Sequence, residues 1–145
     1  MVELAFSLVV LMVLAAGAMD LGRAFFAYMA LRDAAQEGAV FGSICPADKV
    51  TKQFDTTKIF QRVRLSSTNP IDLSDTTHVQ IACFYLTGGT EVACSGPAAP
   101  GDGIKIQVSY DNFPITTPFL GAFLGTQTLN LRAEVTDTIL RDTCP

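Results

Sequence analysis

The chain has 145 residues, of which 49 % are hydrophobic and 17 % charged, and its formal net charge is −4. No cluster of four or more Lys or Arg occurs, so the positive patch that phosphate binding needs is missing and no nucleic-acid partner is expected. Four cysteines with no Cys-x-x-Cys pair, beside a single histidine, His78, do not make a zinc-ligand set, and no metal or cofactor is expected.

Leu4 to Met19 is sixteen residues without a charge, between Glu3 and Asp20. As a helix it is about 24 Å long, slightly short of the roughly 20 residues of a bilayer span. The helical period continues past Asp20 through Leu21, Ala24, Phe25, Tyr28, Leu31, Ala35 and Ala39, and no proline intervenes before Pro46. The pattern predicts one helix from about residue 2 to about residue 41, roughly 60 Å long. Its first half is apolar on every face and must be covered by lipid or by copies of itself, because a chain of this size cannot surround it. Its second half is amphipathic. Arg32, Asp33, Gln36 and Glu37 are expected to face water, and Phe25, Phe26, Tyr28 and Leu31 to pack on a head. Ala15, Ala16, Gly17, Ala18, Gly22, Ala24 and Ala27 would allow neighbouring helices to approach closely.

Three readings compete for the apolar segment. A cleaved secretory signal needs a positive start, whereas this one carries Glu3 and no Lys or Arg before Arg23. A plain membrane anchor and a filament-core helix remain. Glu3 favours the second: an acid is expensive in lipid, tolerated at a helix N-terminus, and useful if it meets the α-amino group of a neighbouring subunit. The alternative is a glutamate left in the headgroup layer. On the filament reading the subunit contacts are Glu3, Leu4, Phe6, Leu8 and Val10, then Leu11, Leu14, Gly17, Leu21 and Phe25. Asp20 and Arg23, three apart, can form an ion pair on one face.

The stem is read as residues 1–43 and a head as 44–145. Cys45-Pro46 marks the break. Val50, Phe54, Phe60 and Val63 predict one or two short helices between about 48 and 65, with Asp48 or Asp55 as N-cap. The period then becomes two. Val79, Ile81, Cys83 and Tyr85 alternate with His78, Gln80, Ala82 and Phe84, Gly88-Gly89 signals a hairpin, and Glu91 to Cys94 returns. Ile104, Ile106, Val108 and Tyr110 alternate again, as do Leu129, Leu131, Ala133 and Val135 within a final strand, Thr128 to Leu140. The fold class is α+β: a long helix whose second half covers one face of a small antiparallel sheet. An even number of widely spaced cysteines beside an apolar N-terminus fits an oxidising compartment and two disulfides. Three connectivities are possible. Cys83 and Cys94 flank the hairpin, which favours Cys83–Cys94 with Cys45–Cys144. Between Pro114 and Gly125, Phe113, Ile115, Phe119, Leu120, Phe123 and Leu124 crowd into a segment that either folds onto its own core or docks on a neighbouring subunit.

The stretch Val2 to Ser43 resembles the N-terminal region of TadE-like pilins and pseudopilins, which belong to the tight-adherence branch of type IV pilus-like systems. The resemblance is carried by Glu3 and the apolar run, by Asp20-Leu21-Gly22-Arg23, and by Ala34-Ala35-Gln36-Glu37-Gly38-Ala39. Ile104 to Gly125 is similar to the family's strand, Tyr-x-x-x-Pro and Thr-Pro-Phe/Leu-Leu-Gly segment. It implies a pilin-like fold and a homo-oligomeric helical filament. It also implies a precursor held in the inner membrane, and a prepilin peptidase and pilus assembly machinery as partners. Members are made with a short positive leader, and the glutamate that resembles Glu3 lies fifth in the mature chain rather than third. Some relatives form the filament shaft; others are minor pseudopilins or single-span assembly factors.

Enzymatic signatures are missing from the sequence. No Gly-x-Ser-x-Gly, phosphate-binding loop or His-Glu-x-x-His occurs. His78 reads as a surface residue, and Asp72 and Asp75 as turn residues with too few neighbouring oxygens for calcium.

Overall fold

The structure, a computed structural model, describes residues 2–117, 121–122 and 125–144. Its element order is α1 (Val2–Ile44), α2 (Thr56–Leu65), β1 (Val79–Thr87), β2 (Thr90–Ala93), β3 (Gly103–Pro114) and β4 (Thr128–Thr138). This is an α+β arrangement of one long helix and one four-stranded antiparallel sheet in the order β2-β1-β3-β4.

The 43 residues of α1 extend about 64 Å at the standard rise. The helix runs three residues beyond the expected end, and its last turn is closed by the Cys45 N–H donating to the Phe41 carbonyl at 2.9 Å. Pro46 then prevents continuation. A single short helix, α2, follows. Asp55 is its N-cap, accepting from the Lys58 N–H at 3.2 Å. Asp48 closes the preceding turn instead, accepting from the Val50 and Thr51 N–H groups.

Gly88 and Gly89 both take positive φ, 55° and 83°, in the β1–β2 hairpin, where L-residues with a side chain would be strained. β1 and β3 pair with Ile81 opposite Val108 and Cys83 opposite Ile106. β3 and β4 pair with Val108 opposite Ala133. A bulge between Tyr110 and Phe113 bends the end of β3 down along the helix. Asn112 takes φ 62° there, and its N–H donates to the Asn130 side chain.

The core lies between the second half of α1 and one face of β3 and β4, with α2 closing the side. Leu31, Ala35 and Ala39 are fully buried from the helix, Ile104, Ile106 and Val108 from β3, and Ile59 and Val63 from α2. One expectation is corrected here. Phe25, Phe26 and Tyr28 do not pack on the head: they are 58 %, 65 % and 40 % exposed, and the contact stripe is Ala24, Ala27, Leu31, Ala34, Ala35, Gly38, Ala39 and Gly42. The reason is distance. A Cβ on Gly42 would stand 2.5 Å from Ile104 Cδ1 of β3, and one on Gly38 would strike Val63 of α2 and stand 3.2 Å from Ile106 of β3. An aromatic ring has no room on that face.

The chain's two ends meet at the top of the helix. The Leu140 N–H donates to the Ser43 carbonyl, and the Cys144 N–H to the Ala47 carbonyl. Cys45 and Cys144 are joined there with their Cα atoms 4.1 Å apart. Cys83 and Cys94 are joined across the β1–β2 hairpin at 5.4 Å. Phe113 and Ile115 are buried, at 9 % and 8 % exposure. Phe119, Leu120, Phe123 and Leu124, from the same apolar segment, lie outside the described residues.

Candidate subunit interface and stem junction

The first half of α1 projects away from the head. From Val2 to Met19 none of its residues is buried. Leu4 is 72 % exposed and Phe6 71 %. Leu8, Val10, Leu11 and Leu14 continue that exposed surface around the helix, and Leu21 and Phe25 carry it past the first head contacts. Gly17 is half-buried beside the head's lower edge. Of these residues Leu14, Gly17 and Leu21 also border the head's lower edge, and the others are exposed along the stem. Glu3 projects from the first turn, where the helix dipole favours its charge. By length and composition the helix is apolar enough to cross a membrane, and none of its most apolar window is buried by the protein itself.

Asp20 is where stem and head first touch. It is 8 % exposed, and the Arg23 guanidinium lies 3.6 Å away. Its closer partner is on the head. One carboxylate oxygen accepts from the Thr117 N–H at 2.7 Å and from the Thr117 hydroxyl at 2.6 Å. Arg23 donates to the Thr116 hydroxyl and lies 5.8 Å over the Phe113 ring. Burial of a carboxylate is tolerable because its lone pairs are occupied by charge-assisted hydrogen bonds. Sequence reasoning placed Asp20 beside Arg23 but missed Thr116 and Thr117, which stand 97 residues from Asp20 in the case of Thr117. No local pattern signals such a contact.

Below this clasp a groove of about 520 Å³ separates stem from head. Val13, Leu14, Gly17 and Leu21 form one wall, and Pro114, Ile115 and Leu129 the other. Further along the helix, Glu37 pairs with Arg62 of α2 at 2.7 Å on the outside of the head. His78 pairs with Asp75 at 2.8 Å and stacks on Tyr110, an arrangement that orders the turn before β1. The stem's surface is apolar, extended and uncovered by the head.

Comparison with known proteins agrees with this character. Residues 1–40 match the model of the family described as TadE-like protein. The match covers most of α1 and none of the head, so the likeness to that family is a likeness of the stem. No curated protein and no solved structure matches the chain.

Proposed function

We propose that the protein is a structural subunit of an extracellular Tad-like filament, polymerising through its N-terminal helix and presenting its head outward for surface attachment. The observation that supports this most is the bare stem: eighteen residues of helix, Val2 to Met19, with none buried by the chain's own head. Exposing that much apolar surface to water is unfavourable by roughly 25 cal/mol per Å², so another molecule must cover it. In the inner membrane that molecule is lipid. In the filament it is the stems of identical subunits, with the small residues Ala15, Ala16 and Ala18 allowing close approach. Assembly then exchanges one apolar environment for another while the head stays in water.

In this reading a prepilin peptidase and the pilus assembly machinery act on the membrane-held precursor. Glu3 meets the α-amino group of a neighbour inside the dry bundle, where an unpaired charge would be costly. Residues 1–43 serve as stem and 44–145 as head, with the stem's upper part built into the head's core. The test is filament yield. Sheared surface material, imaged by negative stain and identified by mass spectrometry, should contain this chain as its main band. Glu3→Ala should reduce that yield while leaving the head folded. If the chain is instead a minor pseudopilin or single-span assembly factor, the sheared fraction will lack it while the membrane fraction retains it.

A further inference from the structure

Leu4–Met19 provides about 24 Å of helix, and the hydrocarbon core of a bilayer is about 30 Å thick. Taken alone, the uncharged run is about 6 Å short of a span. The next residue is Asp20, and an unpaired carboxylate at that depth would be expensive. The fold removes the difficulty. Asp20 turns inward onto the two Thr117 donors, and Arg23 onto Thr116 and the Phe113 ring. Asp20 is buried against the head's underside, and Arg23 reaches the same edge with its side chain half exposed.

Eight further residues without charge follow, Ala24 to Leu31. Their large members Phe25, Phe26 and Tyr28 are exposed, Phe26 beside Pro70 and Phe113 at the head's edge. Leu4 to Tyr28 measures about 37 Å, which fits the hydrocarbon core plus part of the headgroup layers, about 40–45 Å in all. Tyr28 combines an apolar ring with a polar tip, the type of side chain that settles at headgroup level. Arg32 and Asp33, both exposed, come about one helical turn later. The apolar groove lies at the same height. Its helix wall begins at Val13, inside the uncharged run, and its other wall is the head's lower edge, Pro114 and Leu129.

From this we infer that the unassembled subunit does not hold its head clear of the membrane but seats it in the bilayer surface. Lipid acyl chains fill the groove between stem and head, the Phe25–Phe26–Tyr28 collar lies among the headgroups, and water begins near Arg32. The inference rests on the reading of Leu4–Met19 as membrane-resident. It adds that assembly must strip lipid from the head's underside as well as from the stem.

The chain has no tryptophan, so single substitutions give unambiguous fluorescence. Leu8→Trp, Phe25→Trp, Pro114→Trp and Val92→Trp would each be made in the full chain. Each variant would be reconstituted at high lipid-to-protein ratio into phosphatidylethanolamine–phosphatidylglycerol vesicles containing phosphatidylcholine brominated along its acyl chains. Tryptophan at positions 8, 25 and 114 should be quenched several-fold more than at position 92, which lies on the exposed β2 edge. Quenching at 8 with positions 25 and 114 no more quenched than 92 overturns the seat and leaves the membrane-resident stem intact. No quenching at 8 overturns both. Shielding of 114 together with cross-linking between stems in these dilute vesicles assigns the groove to a second copy and overturns lipid as its occupant.

Discussion

Residues 2–19 and 20–44 of α1 belong to one unbroken helix, yet the first stretch has no buried residue and the second has ten. Hydrophobicity runs the other way. The bare stretch carries Val, Leu, Phe and Met, while the buried one contributes mainly Ala and Gly to the head. Within this chain, burial follows fit and not greasiness: the head accepts a helix face of small residues with Leu31 as its one large side chain. Large apolar groups left outside on a helix of this length are a specification for external partners. The second stretch is therefore read as a structural beam and the first as a contact surface, and each substitution below affects one without the other.

Leu31→Ala should cause the largest change. Its side chain is fully buried between helix and sheet, and truncation should destabilise the head by about 2–5 kcal/mol. Urea unfolding in detergent, followed by near-ultraviolet circular dichroism, should shift to lower midpoint while membrane partition is unchanged. Replacing Cys45 and Cys144 together by Ser opens a link spanning 99 residues of sequence and should destabilise by about 2–4 kcal/mol. Reduction of the native protein, which also opens Cys83–Cys94, should lower the midpoint at least as far in the same assay, and an unchanged midpoint in the double variant would show that the link carries no stability.

Leu11→Asp probes the other half. It should oppose membrane insertion by about 2.5–3.5 kcal/mol, visible as loss from the membrane pellet, while the head's unfolding midpoint stays where it was. A matching fall in head stability would break the division between the two stretches. Thr117→Val removes one of the two donors to Asp20 and should weaken the junction by about 1.5–3 kcal/mol. Hydrogen exchange should rise at residues 113–117 and in the adjoining turn of α1, without spreading to β1.

The smallest effect expected is on acid stability. The N–H groups of Thr51 and then Val50 hold Asp48 below its ordinary value of 3.8; the Ser74 hydroxyl does the same for Asp72, and the His78 ring for Asp75. Folded-state values below the unfolded ones mean that the stabilisation is present above 3.8 and is lost as pH falls through the depressed values. A melting temperature that does not decline as pH drops below 3.8 would contradict this assignment.

Much of the fold was legible because it rests on local periodicity. Alternation in Val79–Tyr85, Ile104–Tyr110 and Leu129–Val135 placed three strands with their inward faces, and the glycine pair placed the hairpin. The bare stem was legible from composition. What the sequence withheld were distances between elements. Phe25 and Ala24 both belong to an apolar helical pattern, and only the packed structure tells which of them faces the head. The partnership of Asp20 with Thr117 joins residues 97 apart in sequence, beyond a bulge between Tyr110 and Phe113, and no local period signals either.

The meeting of Cys45 with Cys144 has a mechanical consequence. Tension applied to the C-terminal segment would enter α1 at its upper end through a covalent bridge, with the Leu140–Ser43 and Cys144–Ala47 backbone hydrogen bonds in parallel. The sheet is not in series with that route. Pulling there loads the helix axis directly, and the strands need not unzip for the force to reach the stem.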